Sequence, residues 1–158
     1  MTVEGAESLR AELTRLMTKE RPALSKAVGE AASHGDLTEN ADYQAARHNQ
    51  GLVEARIRHL QAKLVTAEII DVSKLQPTGT VVFGATVTLL NQQDGGTLTT
   101  YRIVGEDEAD VGKGTLSLKA PLARALIGQK EGAEVHVETP AGDRLYTIDS
   151  IRLTGPAE

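Results

Sequence analysis

Apolar positions along the chain follow two different periods. In the first half, Val53, Ile57, Leu60, Leu64 and Ala67 succeed one another at intervals of 4, 3, 4 and 3. That spacing puts all five on one face of a helix, as in a coiled-coil seam. Upstream, Leu9, Leu13 and Leu16 repeat the 4, 3 interval, and Leu24, Ala27, Val28 and Ala31 continue an apolar stripe. Pro22 interrupts this run; lacking an amide donor, it kinks the helix or marks a restart. Between the two helical runs lies His34-Gly35-Asp36-Leu37-Thr38, a break signalled by its glycine. Two helices joined by a short break pack as an antiparallel hairpin. With arms of about 25 residues at about 1.5 Å per residue, the hairpin is about 40 Å long. A compact domain of this chain length has a radius of gyration of about 15 Å, so the hairpin is expected to project from it. The same seam would also serve a coiled coil between two copies.

Beyond Gln76-Pro77-Thr78-Gly79 the period changes. Val, Thr, Ile and Leu now alternate with glycine-rich punctuation, the signature of strands. Strands are expected at about 80–91, 97–104, 115–118, 134–138 and 144–153. Gln93-Asp94-Gly95-Gly96 and Pro140-Ala141-Gly142-Asp143 read as hairpin turns. Pro121 to Ile127 reads as a short helix, with proline in its first turn and Gly128 as its stop. Residues 154–158 read as a frayed tail. The expected organisation is α+β: a helical hairpin over residues 1–75, then a small domain over 76–158 on a mainly antiparallel sheet.

Composition narrows the functional classes. The chain has 158 residues and no cysteine, which excludes a disulfide scaffold and any cysteine-built metal or redox site. No stretch approaches 18 consecutive apolar residues, and Met1-Thr2-Val3-Glu4-Gly5 lacks a basic-then-apolar leader pattern, so a soluble cytoplasmic protein without a membrane partner is expected. The net charge of −5 disfavours a free-standing, tight nucleic-acid binder, because such affinity comes mainly from Lys and Arg. Residues 1–75 hold 10 Lys and Arg against 11 Asp and Glu, whereas residues 76–158 hold 7 against 11, so the acidic surplus lies in the second half. Three Tyr, one Phe and no Trp are too few for base-stacking platforms.

The chemistry-bearing candidates cluster at the break between the helices. Asp36 and Glu39 have the spacing of a capping box, in which one carboxylate takes an orphan amide and the other reaches back. Capping does not exclude chemistry, since residues three apart at a helix start share one side of it. Mg²⁺ typically takes only one or two carboxylates and keeps water or substrate oxygens elsewhere. Such a pair is too sparse for a self-sufficient metal site, yet it could complete one supplied by another molecule. On the second helix Arg47, Arg56, Arg58 and Lys63 read as a solvated face. His34, His48, His59 and His136 have no convincing partner as metal ligands.

The run His34-Gly35-Asp36-Leu37-Thr38-Glu39-Asn40-Ala41-Asp42-Tyr43 resembles the tip motif of the GreA/GreB bacterial transcript cleavage factors. The resemblance continues in Phe83-Gly84-Ala85-Thr86-Val87, in Tyr101 to Asp110, and in Pro121-Leu122-Ala123-Arg124-Ala125-Leu126-Ile127-Gly128, and it covers about residues 5–153. The segments fit the GreA branch better than GreB. The resemblance implies an antiparallel coiled-coil hairpin with an acidic tip, followed by an FKBP-like domain that docks at the rim of the RNA polymerase secondary channel. It implies an accessory factor, not an enzyme in itself: the polymerase's own Mg²⁺-dependent cleavage of a backtracked transcript is stimulated, freeing a new RNA 3′ end. Asp36 would help hold a Mg²⁺ shared with the polymerase and absent from the isolated protein, and Glu39 would help activate the attacking water. Gly35, Asn40 and Tyr43 would support the tip, and Arg47 is the best-placed candidate for RNA contact. Asp107, Glu108, Asp110, Pro121 and Arg124 would lie on the polymerase-docking face, with Ala120 standing where the family often has serine. A monomer is expected.

Three other readings compete. One is an inhibitory channel-binding paralogue with the same fold and no cleavage activity. A peptidyl-prolyl isomerase is opposed by the scarcity of aromatics, since Phe83, Tyr101 and Tyr146 are alone in the second half. The third is a purely structural coiled-coil dimer.

Overall fold

The computed structural model describes residues 1–35, 40–93 and 95–153. Its first half is helical: α1 covers Val3–Arg15, α2 Arg21–Ala32 and α3 Ala41–Thr66. Between α1 and α2, Leu16–Glu20 winds as a π-helical turn in which the Arg21 amide donates to the Leu16 carbonyl. Pro22 follows at the start of α2, so the proline neither breaks the arm nor leaves it regular. The wider turn relieves the clash that a proline ring makes with the preceding turn, and such bulges are a usual cause of helix bends.

The hairpin closes along the expected seam. Ile57 and Leu60 are each 1% exposed, Leu9, Leu16, Ala31 and Ala46 are buried, and Val53, Leu64 and Ala67 are half-buried. Val65, off the seam, is 84% exposed. Two bidentate ion pairs fix the antiparallel register: Arg21 with Glu54 at 2.7 and 3.0 Å, and Arg56 with Glu12 at 2.9 Å for both bonds. Forked pairs of this kind specify geometry as well as adding energy. Twenty-six residues make α3 about 39 Å long.

The second half is a five-stranded sheet: β1 Thr86–Asn91, β2 Thr97–Val104, β3 Thr115–Ser117, β4 Glu134–Thr139 and β5 Gly142–Arg152, in the order β3-β2-β1-β5-β4. Three pairings are antiparallel, and β2 with β3 is parallel. A register shift between Thr88 and Leu89 marks a bulge against β5, which increases local twist. The short helix α4, Pro121–Leu126, lays Ala123 and Leu126 on the sheet core of Val87, Leu89, Ile103, Val135, Val137 and Ile148. Burying one such large side chain contributes about 1.5–3 kcal/mol.

The first expected strand begins later than its pattern indicates. Gly84 turns the chain with φ +83°, and a Cβ there would come within 2.3 Å of Val72, so the turn needs both the conformation and the small size of glycine. Val82 to Gly84 therefore form a turn, and strand pairing starts at Thr86. The chain divides into two units, one of residues 6–67 and one of residues 1–5 with 68–158. In the second unit Thr2 bridges Ile70 in parallel, and the Ile70 amide donates to the Met1 carbonyl at 2.9 Å. No helix among the described residues is long and apolar enough to cross a membrane.

Candidate functional site

The turn between α2 and α3 is built by a few polar residues. Asn40 has an extended backbone (φ −84°, ψ 102°) and caps α3: its Oδ1 accepts from the Tyr43 amide at 3.0 Å. A cap of this kind satisfies one of the orphan amides at a helix start. The same side chain donates from Nδ2 to the Ala31 carbonyl at 2.6 Å, an acceptor that also receives the His34 amide at 3.2 Å. One side chain thus ties the last turn of α2 to the first turn of α3. Gly35 leaves α2 with φ +122°, a conformation that only glycine adopts without strain. Asp36 and Glu39, with Leu37 and Thr38 between them, lie outside the described residues; they link Gly35 to Asn40.

Beyond the turn, Tyr43 is half-buried and Arg47 is exposed, its guanidinium donating to Gln50 at 2.9 Å. Arg56 is engaged by Glu12 across the hairpin, so it serves the register of the two arms. That hydrogen bond holds the Glu12 carboxyl below its ordinary value. Among the described residues, no group of three or more His, Asp or Glu side chains is placed to hold a metal.

The second cluster joins the loop after β2 to the start of α4. Glu106 meets Lys119 at 2.8 Å, and this bond raises the Lys119 pKa, with the Asp107 charge adding to it and Arg124 opposing it. Asp110 closes a tight turn, its Oδ1 accepting from the Gly112 amide at 3.0 Å. Pro121 opens α4 after Ala120, whose side chain offers no cap. Glu108 is turned inward: its carboxylate accepts from the Thr2 amide at 2.9 and 3.0 Å and from the Gly105 amide at 3.1 Å. Sequence reasoning missed the Glu106–Lys119 pair, although a lysine and an acidic loop on flanking segments were the available signal.

A helical hairpin with a capped, acid-bearing turn, joined to a small α+β unit, defines a two-part factor in which each part carries its own set of polar residues. The comparisons with known proteins assign the class. Residues 1–69 match the family model described as transcription elongation factor, N-terminal, and residues 76–153 match that for the GreA/GreB C-terminal part. The chain is 52% identical over 152 residues to transcription elongation factor GreA of Methylococcus capsulatus, covering 96% of each. It is also 52% identical over 151 residues to GreA of Francisella tularensis subsp. novicida, covering 96% of this chain and 94% of that one. The chain belongs to the GreA/GreB family of transcription elongation factors. Among solved structures it is similar to GreA factor homolog 1 of Thermus thermophilus, at 25% identity and a TM-score of 0.43, over 96% of this chain and 97% of that one.

Proposed function

We propose that the chain binds RNA polymerase and stimulates the polymerase's own cleavage of a backtracked transcript, with Asp36 and Glu39 as the groups it delivers. The observation that supports this reading most is the build of the turn. Asn40 joins the last turn of α2 to the first turn of α3, and in the sequence both carboxylates come just before it. The donor chemistry fits magnesium: carboxylate oxygens are the hard ligands it prefers, and two of them make a partial set to be completed by a partner. Asp36 would hold the shared ion, which when bound stabilises charge on the reacting phosphate oxygens. Glu39 orients the attacking water and accepts its proton, a role typically worth about 10²–10⁴-fold. Arg47 lies one turn beyond Tyr43, exposed toward solvent, where a cation can steer a nucleic-acid backbone.

In this reading the α+β unit supplies affinity. The loop of residues 105–110 and the start of α4, drawn together by Glu106 and Lys119, form the docking face at the rim of the secondary channel. The seam is covered by the chain's own second arm, which supports a factor acting as a single copy. The test is to add the protein to a halted, backtracked polymerase–RNA–DNA complex with Mg²⁺. Shortening of the transcript from its 3′ end, faster than with polymerase alone, is the expected result; an unchanged rate refutes the proposal and fits an inhibitory channel binder instead.

A further inference from the structure

Glu108 lies within the loop read above as a docking face, yet its carboxylate points into the chain. Oε1 accepts from the amides of Thr2 and Gly105, and Oε2 accepts from Thr2 as well. Thr2 is 2% exposed. Buried amides need acceptors, and bonds to a carboxylate are the stronger kind. Gly5 packs so closely that a Cβ on it would come within 1.7 Å of the Glu108 Oε2 and 2.5 Å of its Cδ. One residue earlier, the Glu4 carboxylate sits 3.6 Å from the guanidinium of Arg102 on β2, the strand that leads into this loop.

Two backbone amides hold this half-buried carboxylate, the Thr2 amide being shared between its two oxygens, so its orientation is set from within the chain. We propose that Glu108 is a positioning residue: it clamps the loop of residues 105–110 to residues 2–5, and so fixes the backbone from which Glu106, Asp107 and Asp110 meet the polymerase. The assignment rests on the docking role given above to that loop. Its sequence signal is absent, because the clamped amide of Thr2 is 106 positions away.

The experiment uses the full chain and three variants: Glu108→Ala, Glu108→Gln and Gly5→Ala. Amide exchange at Thr2 and Gly105 reports the clamp, and competition for RNA polymerase reports docking. Gly5→Ala decides the matter, because it displaces the carboxylate without removing it. Glu108→Ala and Gly5→Ala are expected to speed exchange at both amides by about tenfold, as lost charged hydrogen bonds should, and to weaken polymerase binding together. Glu108→Gln, which keeps a neutral acceptor of the same shape, should retain most of both. Wild-type binding by Gly5→Ala alongside lost binding by both Glu108 variants would make Glu108 a direct contact and overturn the proposal. Faster exchange with unchanged binding overturns the positioning role alone. A wild-type chain that fails to compete for polymerase overturns the docking reading, and the positioning role with it.

Discussion

Asn40→Ala removes two bonds from the turn at once. The cap to the Tyr43 amide contributes about 1 kcal/mol by analogy with other N-caps. The bond from Nδ2 to the Ala31 carbonyl adds about 1 kcal/mol net. The local deficit is thus about 2 kcal/mol, which raises the open population about 30-fold at 1.4 kcal/mol per decade. The effect should remain local, because helix ends open without unfolding the whole chain. Hydrogen exchange at the Tyr43 amide is the assay, and Asn40→Asp is the control. Aspartate keeps the acceptor for Tyr43 but has no donor for Ala31, leaving about 1 kcal/mol lost and about fivefold faster exchange. Exchange at Tyr43 that is the same in Asn40→Ala and wild type would refute the claim that this side chain holds the turn.

Leu60→Ala, which empties a site 1% exposed, should destabilise the hairpin by about 2–5 kcal/mol in urea unfolding, whereas Val65→Ala, 84% exposed, should stay within about 0.5 kcal/mol. Ala120→Ser should supply the missing cap of α4, stabilise by about 1 kcal/mol, and raise the thermal midpoint; an unchanged or lower midpoint contradicts it. Glu12, held below its ordinary value of 4.5 by Arg56, contributes stability that is present above that value and is lost as pH falls through the lowered one. Glu12→Gln should therefore cost about 0.2–1 kcal/mol at neutral pH, and the difference from wild type should vanish in acid.

The helical half was largely legible because burial imposes its period on the sequence. The 4, 3, 4, 3 spacing of Val53 to Ala67 has a physical counterpart in the covered face of α3. Pro22 was legible as a disturbance but not as a π-helical turn, since two accommodations of a proline read alike in sequence. In the sheet, alternation marked the strands, but not that β1 waits until Thr86 or that β3 runs parallel to β2. Both depend on tertiary partners, Val72 against Gly84 and the turn closed by Asp110. Asn40 entered through a family resemblance; its double role needs the Ala31 carbonyl, nine residues away, to be in place. Glu108 shows the same limit more strongly: an acidic residue in a polar loop looks solvent-directed until its backbone partners are known.

The central claim is a division of labour between an acidic turn and a docking unit, and Asp36→Asn tests it most directly. Cleavage of the halted transcript and competition for polymerase are to be measured on the same preparation. The account predicts cleavage reduced to the level of polymerase alone, with binding close to wild type. Full cleavage by Asp36→Asn, or loss of binding in step with cleavage, would contradict it.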